Sequence, residues 1–270
     1  MNQHRPVTLL AFALTLTIAL PAFAQQSEAE LAKKLSNPIA NLISIPLQYN
    51  YDADIGPEED GTRSQLKIQP VIPITLNADW NVISRTIVPV TYQDDVFPGA
   101  GTKFGLGDTT QSFFFSPKAP SKGGWIWGVG PALLIPTGSN DQLGAGQWGV
   151  GPTFVALKQV EGWTYGMLAN QIWGVAGSDR LPDVDQLFLQ PFVSKTTKTL
   201  WTFSLNTEST YNWEASEWSV PINLFAAKLV KVGKLPIQFG AGVRYWADAP
   251  DDQGPENFGL RLAVTFLFPK

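Results

Sequence analysis

From Asn41 to its end the chain alternates apolar and polar residues at period two, in segments of strand length broken by turn-forming residues. The final segment, 258 to 268, shows the rule plainly. Leu260, Leu262, Val264, Phe266 and Phe268 take one face, while Arg261, Ala263 and Thr265 take the other, with Leu267 as the exception. In the ninth, Trp201, Phe203, Leu205, Thr207, Ser209, Tyr211 and Trp213 oppose Thr202, Ser204, Asn206, Glu208, Thr210 and Asn212. Twelve segments follow the pattern: 41–52, 63–74, 80–92, 108–116, 125–136, 147–158, 163–175, 185–195, 200–213, 217–230, 235–246 and 258–268. Prolines at 46, 70, 73, 89, 131, 136, 152, 191, 221 and 236 lie in or beside them, which blurs the boundaries because proline cannot donate to a ladder.

One oily and one polar face suits lipid outside and a wet lumen inside, and about 9 to 11 tilted residues cross a bilayer. A strand of a soluble sandwich carries the same pattern, so the connections decide. Those at 53–62, 93–107, 137–146, 176–184 and 247–257 are long, and those at 75–79, 159–162, 196–199 and 231–234 are short. The 117–124 connection is intermediate, and 214–216 breaks the alternation. Outer-membrane barrels sort their loops this way, with long loops outside and short turns in the periplasm. Charge sorts along with length. Carboxylates such as Asp52, Asp54, Glu58, Asp94, Asp141, Asp185, Glu217 and Asp251 border the long connections, whereas Lys118, Lys158, Lys195, Lys198, Lys228, Lys231 and Lys234 border the short ones. An acidic rim can hold divalent cations against lipopolysaccharide; plain solvated loops account for it equally and are the expected case. Trp80, Trp125, Trp127, Trp148, Trp163, Trp201, Trp213 and Trp218, with Trp173 and Trp246, all fall near segment ends, as two aromatic girdles at the membrane–water interfaces require.

The expected fold is therefore all-β: an antiparallel up-and-down transmembrane barrel of about twelve strands over residues 41–270. Residues 1–24 read as a signal peptide, with His4 and Arg5 before an apolar stretch from Val7 to Leu20 and Ala22-Phe23-Ala24 as the cleavage site. Residues 25–40 form a periplasmic segment with a capping-box helix start at Ser27 and Glu30, expected as a surface turn of helix, with a fold-back plug as the alternative.

Cleavage removes His4, the single histidine, and the chain has no cysteine. Imidazole bases, thiolate nucleophiles, disulfides and Cys or His metal centres are thereby excluded, so no catalytic residue, metal or cofactor is assigned. Losing Arg5 turns 19 basic residues into 18 against 23 acidic ones, with no basic cluster, which argues against nucleic acid. Gly144-Ala145-Gly146-Gln147-Trp148-Gly149 fits a dinucleotide fingerprint only formally, because a strand and not a helix follows. Trp127-Gly128-Val129-Gly130-Pro131 is echoed at Trp148-Gly149-Val150-Gly151-Pro152. The residues left for function are polar ones on the inward face: Lys67, Arg85, Asp108, Glu208, Arg244 and Arg261, lining a permeation path or locking a closed interior by ion pairs with Asp108 and Glu208.

The segments Trp80-Asn81-Val82-Ile83-Ser84-Arg85-Thr86-Ile87-Val88-Pro89, Gly105-Leu106-Gly107-Asp108, Phe114-Phe115-Ser116-Pro117-Lys118, Asn206-Thr207-Glu208-Ser209 and Trp218-Ser219-Val220-Pro221-Ile222-Asn223 bear a family likeness, as does the first copy of the echo. With them the chain resembles bacterial outer-membrane proteins labelled as transporters and grouped with barrels of the phenol meta-cleavage pathway. The resemblance spans nearly all of the mature chain. It implies an outer-membrane barrel taking up small, aromatic or hydrophobic compounds, with lipid and lipopolysaccharide around it, and it supplies no ligand-site motif. The terminal aromatic, Phe268, lies two positions before the last residue, Lys270, which departs from the usual barrel C-terminus.

Overall fold

The computed structural model describes residues 27–178 and 180–268, so the leader expected over 1–24 lies outside the described residues. A helix, α1 (Glu28–Leu35), precedes fifteen strands. These are β1 (Ile43–Ile55), β2 (Gly61–Ile68), β3 (Val71–Thr75), β4 (Trp80–Asp94), β5 (Lys103–Leu106), β6 (Thr109–Pro117), β7 (Trp125–Ile135) and β8 (Gln147–Val160). The rest are β9 (Trp163–Gly177), β10 (Asp185–Thr196), β11 (Trp201–Thr207), β12 (Ser209–Asn212), β13 (Glu217–Val232), β14 (Leu235–Asp248) and β15 (Phe258–Phe268).

All pair antiparallel with chain neighbours, and β15 closes the ring on β1 from Ile43↔Phe268 to Tyr51↔Leu260. Three staves of the barrel are split in two. β2 and β3 both lie between β1 and β4, β5 and β6 both follow β4, and β11 and β12 both lie between β10 and β13. Counting each pair once leaves the closed 12-strand antiparallel barrel that the alternation predicts.

The splits have local causes. Pro70 has no N–H for the ladder, and the backbone is stapled around it by Gln69 N donating to Pro46 O at 2.9 Å and Thr86 N to Pro70 O at 3.1 Å. At the second break Gly107 N donates to Pro89 O at 2.9 Å. The third falls on Glu208, between β11 and β12. Strand β5 lies inside the connection expected at 93–107, which is thus shorter than the sequence suggests. The echoed motif also has a physical reason. A Cβ at Gly130 would collide with Phe113 O, and one at Gly151 with Gln171 O, so each copy lets a neighbouring backbone approach closely just before a proline. Pro131 and Pro152 face each other across β7 and β8.

The alternation sorts the faces as predicted. Phe115, Val129, Phe154, Phe203, Leu205, Leu224, Phe239, Leu260 and Leu262 are exposed on the outside, while Asn50, Thr153, Thr202, Asn223, Arg244 and Arg261 are buried inside. Short turns gather at one end, where β15 finishes, and the long connections at the other.

The N-terminal segment departs from its expected surface position. Ser27 caps α1 by accepting from Glu30 N at 3.2 Å, but Leu31 and Ala32 are buried. They pack with Ala40 and Leu42 against Leu229 of β13 and Leu267 of β15. Ile39 joins Val71, Ile83, Phe114, Val155, Leu157 and Leu168, an apolar cluster drawn from strands across half the ring. Gln159 donates to Lys33 O at 2.8 Å. Residues 31–42 therefore fold into the short-turn mouth as a plug. Apolar residues on the inward faces give it a dry seat, which is why Leu267 breaks the polar row of its strand.

Replacing Leu31 with Ala removes a fully buried side chain, a change of about 2–5 kcal/mol in a soluble core. We expect the amides of residues 31–42 to exchange hydrogen at least about tenfold faster while strand amides keep their protection; unchanged exchange in the plug would contradict its seating.

Candidate functional site

Inside the ring the polar rows converge on a few charged side chains. On β1 the inward row runs Pro46, Gln48, Asn50 and Asp52, and Arg244 Nη1 from β14 donates to Asp52 Oδ2 at 3.0 Å. Trp246 Nε1 donates to the same carboxylate at 3.0 Å, and the Arg244 guanidinium lies 4.8 Å from that ring. Trp246 thus turns inward, against its expected place in a girdle.

Glu208, at the break between β11 and β12, accepts two bonds from Arg261, Nη1 at 2.8 Å and Nη2 at 3.1 Å. Arg261 Nε also donates to Asn50 Oδ1 at 2.8 Å, and Lys67 Nζ stands 3.6 Å from Glu208 Oε2. The fork of the guanidinium matches the carboxylate, the geometry in which such pairs are strongest.

Arg85, midway along β4, differs from these. Among the described residues it joins no ion pair, and its side-chain hydrogen bond is Nη2 to Gln69 Oε1 at 3.2 Å. It borders four interior cavities of about 250, 180, 150 and 280 Å³. Toward the plug one is lined by Leu35, Pro38, Phe192 and Phe225. The central one holds Gln48, Gln190, Asn206, Glu208 and Arg261. Toward the long loops another holds Lys67, Ile87, Asp108, Leu134 and Phe188.

Asp108 lines that last cavity but makes neither of the ion pairs expected for a locked interior. Its oxygens accept from Gly138 N at 2.9 Å and Ala145 N at 2.6 Å, pinning the 136–146 connection over the mouth. A Cβ at Gly144 would crowd the Asp108 carboxylate at 2.5 Å, so the formal fingerprint begins with a glycine set by packing against an acid and not by a phosphate. Gln147 likewise ties down the next loop, donating to Ser178 O and Asp183 Oδ1, both at 3.2 Å.

Six predicted residues thus share one interior, with Lys67, Glu208 and Arg261 in direct contact, Arg244 paired elsewhere, Asp108 anchoring a loop and Arg85, among the described residues, in no ion pair. Asp52 was missed as an interior residue because it sits where a segment meets an acidic connection. Extending the row of Gln48 and Asn50 by one step places it correctly.

On the outside Trp125, Trp148, Trp163, Trp201, Trp213 and Trp218 are exposed, and Trp80 packs edge-on against Trp127 at 5.9 Å. At the short-turn rim Lys195 lies over Trp163 at 4.9 Å and Lys228 over Trp201 at 5.4 Å.

The sequence matches no family model and no curated protein. The structure, however, is similar to that of an outer membrane channel from Pseudomonas putida F1, with a TM-score of 0.66, 15% identity, and 84% of this chain covering 96% of that one. The two share their fold, a closed antiparallel β-barrel. The NanC porin is also similar, with a TM-score of 0.50 and 10% identity over 83% of this chain and 98% of that one. At these identities the likeness concerns the fold.

Converting Glu208 to Gln strands Arg261 and Lys67 without their counter-charge, which we expect to destabilise the folded barrel by about 3 kcal/mol in detergent-based denaturant unfolding. Asp108→Asn, which keeps one acceptor oxygen, should cost far less.

Proposed function

We propose that this protein is a passive channel of the bacterial outer membrane for small molecules. The observation that carries the reading is a chain of cavities along a charged lumen, meeting at Arg85 and enclosed by a wall whose outer face is apolar. A closed barrel satisfies its backbone internally, as hydrocarbon demands. The short turns with their lysines then face the periplasm, the acidic long loops face lipopolysaccharide, and the exposed tryptophans mark the interfaces.

Apolar side chains in the two larger cavities, among them Leu35, Phe192 and Phe225 on one side and Ile87, Leu134 and Phe188 on the other, favour solutes with an aromatic or aliphatic body. Transport here needs no covalent chemistry, in keeping with a mature chain that lacks histidine and cysteine.

A second reading draws on the plug and the two ion-pair clusters: a structural or adhesive barrel that conducts little. Reconstitution separates the two. The channel reading expects small conductance steps in planar bilayers in KCl and uptake of small solutes in liposome swelling, from protein shown to be folded by heat-modifiable gel migration. Folded protein that gives neither would establish the structural reading instead.

A further inference from the structure

Charge and cavity shape in the lumen together specify a ligand class. Lys67, Arg85 and Arg261 surround Glu208, whose carboxylate is taken up by Arg261 in a two-point contact with Lys67 at its edge, while Asp108, which lines the cavity on the long-loop side with Lys67 and Arg85, is held by the backbone N–H groups of Gly138 and Ala145. Arg85 is left as an unneutralised cation whose one side-chain bond, among the described residues, is to the neutral amide of Gln69. A guanidinium carries five N–H donors, and the half-buried Arg85 turns those that Gln69 does not take toward the cavities it borders, where an acid group can accept them.

The cavities around Arg85 are of two kinds. The central one is polar, with Gln48, Gln190, Asn206 and Gln238 as neutral amides beside the guanidinium. Those on either side present apolar surface: Leu35, Val193, Phe192, Phe225 and Ala227 toward the plug, and Ile87, Pro89, Leu134, Ile172 and Phe188 toward the long loops. All three touch Arg85, as does the fourth cavity beside the plug.

We propose that the lumen holds a binding site for amphipathic organic monoanions, with the acid group on Arg85 and an aromatic or short aliphatic body in one of the two flanking cavities. Because both flanking cavities border the same guanidinium, the acid group can remain there while the body passes from the outer cavity to the inner one. This rests on the channel reading and adds to it a ligand and a selectivity-determining residue.

The test is bi-ionic reversal potentials across planar bilayers for the wild-type protein, Arg85→Gln and Arg85→Lys. The probes are benzenesulfonate, methanesulfonate and trimethylphenylammonium, whose charges do not titrate near neutral pH. Wild type should pass benzenesulfonate in preference to methanesulfonate, and about tenfold better than trimethylphenylammonium. Arg85→Gln should reduce that second ratio about tenfold, the scale of losing one charge-assisted hydrogen bond, and Arg85→Lys should largely keep it. Wild type that passes K⁺ and Cl⁻ without these preferences overturns the site and leaves the channel standing, as does an Arg85→Gln protein with unaltered preferences. Folded wild type that passes no ion overturns both. Should Arg85→Gln fail to fold, the wild-type preferences alone still decide.

Discussion

Everything in this molecule depends on the ladder between β15 and β1. Hydrocarbon offers no partner to a backbone N–H or C=O, so a sheet in the membrane must have no free edge. The last strand meets the first over nine residue pairs, from Ile43↔Phe268 to Tyr51↔Leu260. Once the edges are joined, side-chain direction is fixed by parity alone. One row of every strand faces lipid and the other faces a space too narrow to be indifferent to what fills it. Charged groups are then compelled to find each other inside, as Arg261 finds Glu208 and Arg244 finds Asp52.

The limits of the ladder matter as much as its continuity. Where Pro70, Gly107 and Glu208 interrupt a stave, the break lies beside an interior polar residue: Gln69, Asp108 or Glu208 itself. Interrupted pairing gives such side chains a backbone that differs from a regular strand, and two of the three carry contacts that shape the interior. Gln69 accepts from Arg85, and Glu208 holds Arg261. Asp108 uses the same freedom to tie down a loop.

Much of this was legible in the sequence. Period two set the faces and with them placed Arg85, Arg244 and Arg261 inside, and the lengths of the connections set the two ends. What stayed hidden is whatever depends on distance around the ring. Alternation says that Glu208 points inward, but it does not say whether Arg85 or Arg261 stands opposite. Asp52 and Trp246 looked like members of the rim because the pattern weakens at segment ends. The N-terminal helix looked like a surface turn because eight residues with one apolar stripe carry no mark of what they will pack against. Leu267 was the clue. An apolar side chain in an otherwise polar inward row needed a partner inside, and Leu31, Ala32 and Leu42 supply it.

That same leucine ties the stopper to the closing ladder. The plug's seat is made of Leu229 on β13 and Leu267 on β15, the strand that joins β1, so the helix in front of β1 rests on strands beyond the closing ladder. Leu267 thus serves the wall, through its place in the ladder opposite Ser44, and the stopper, through its side chain, at once.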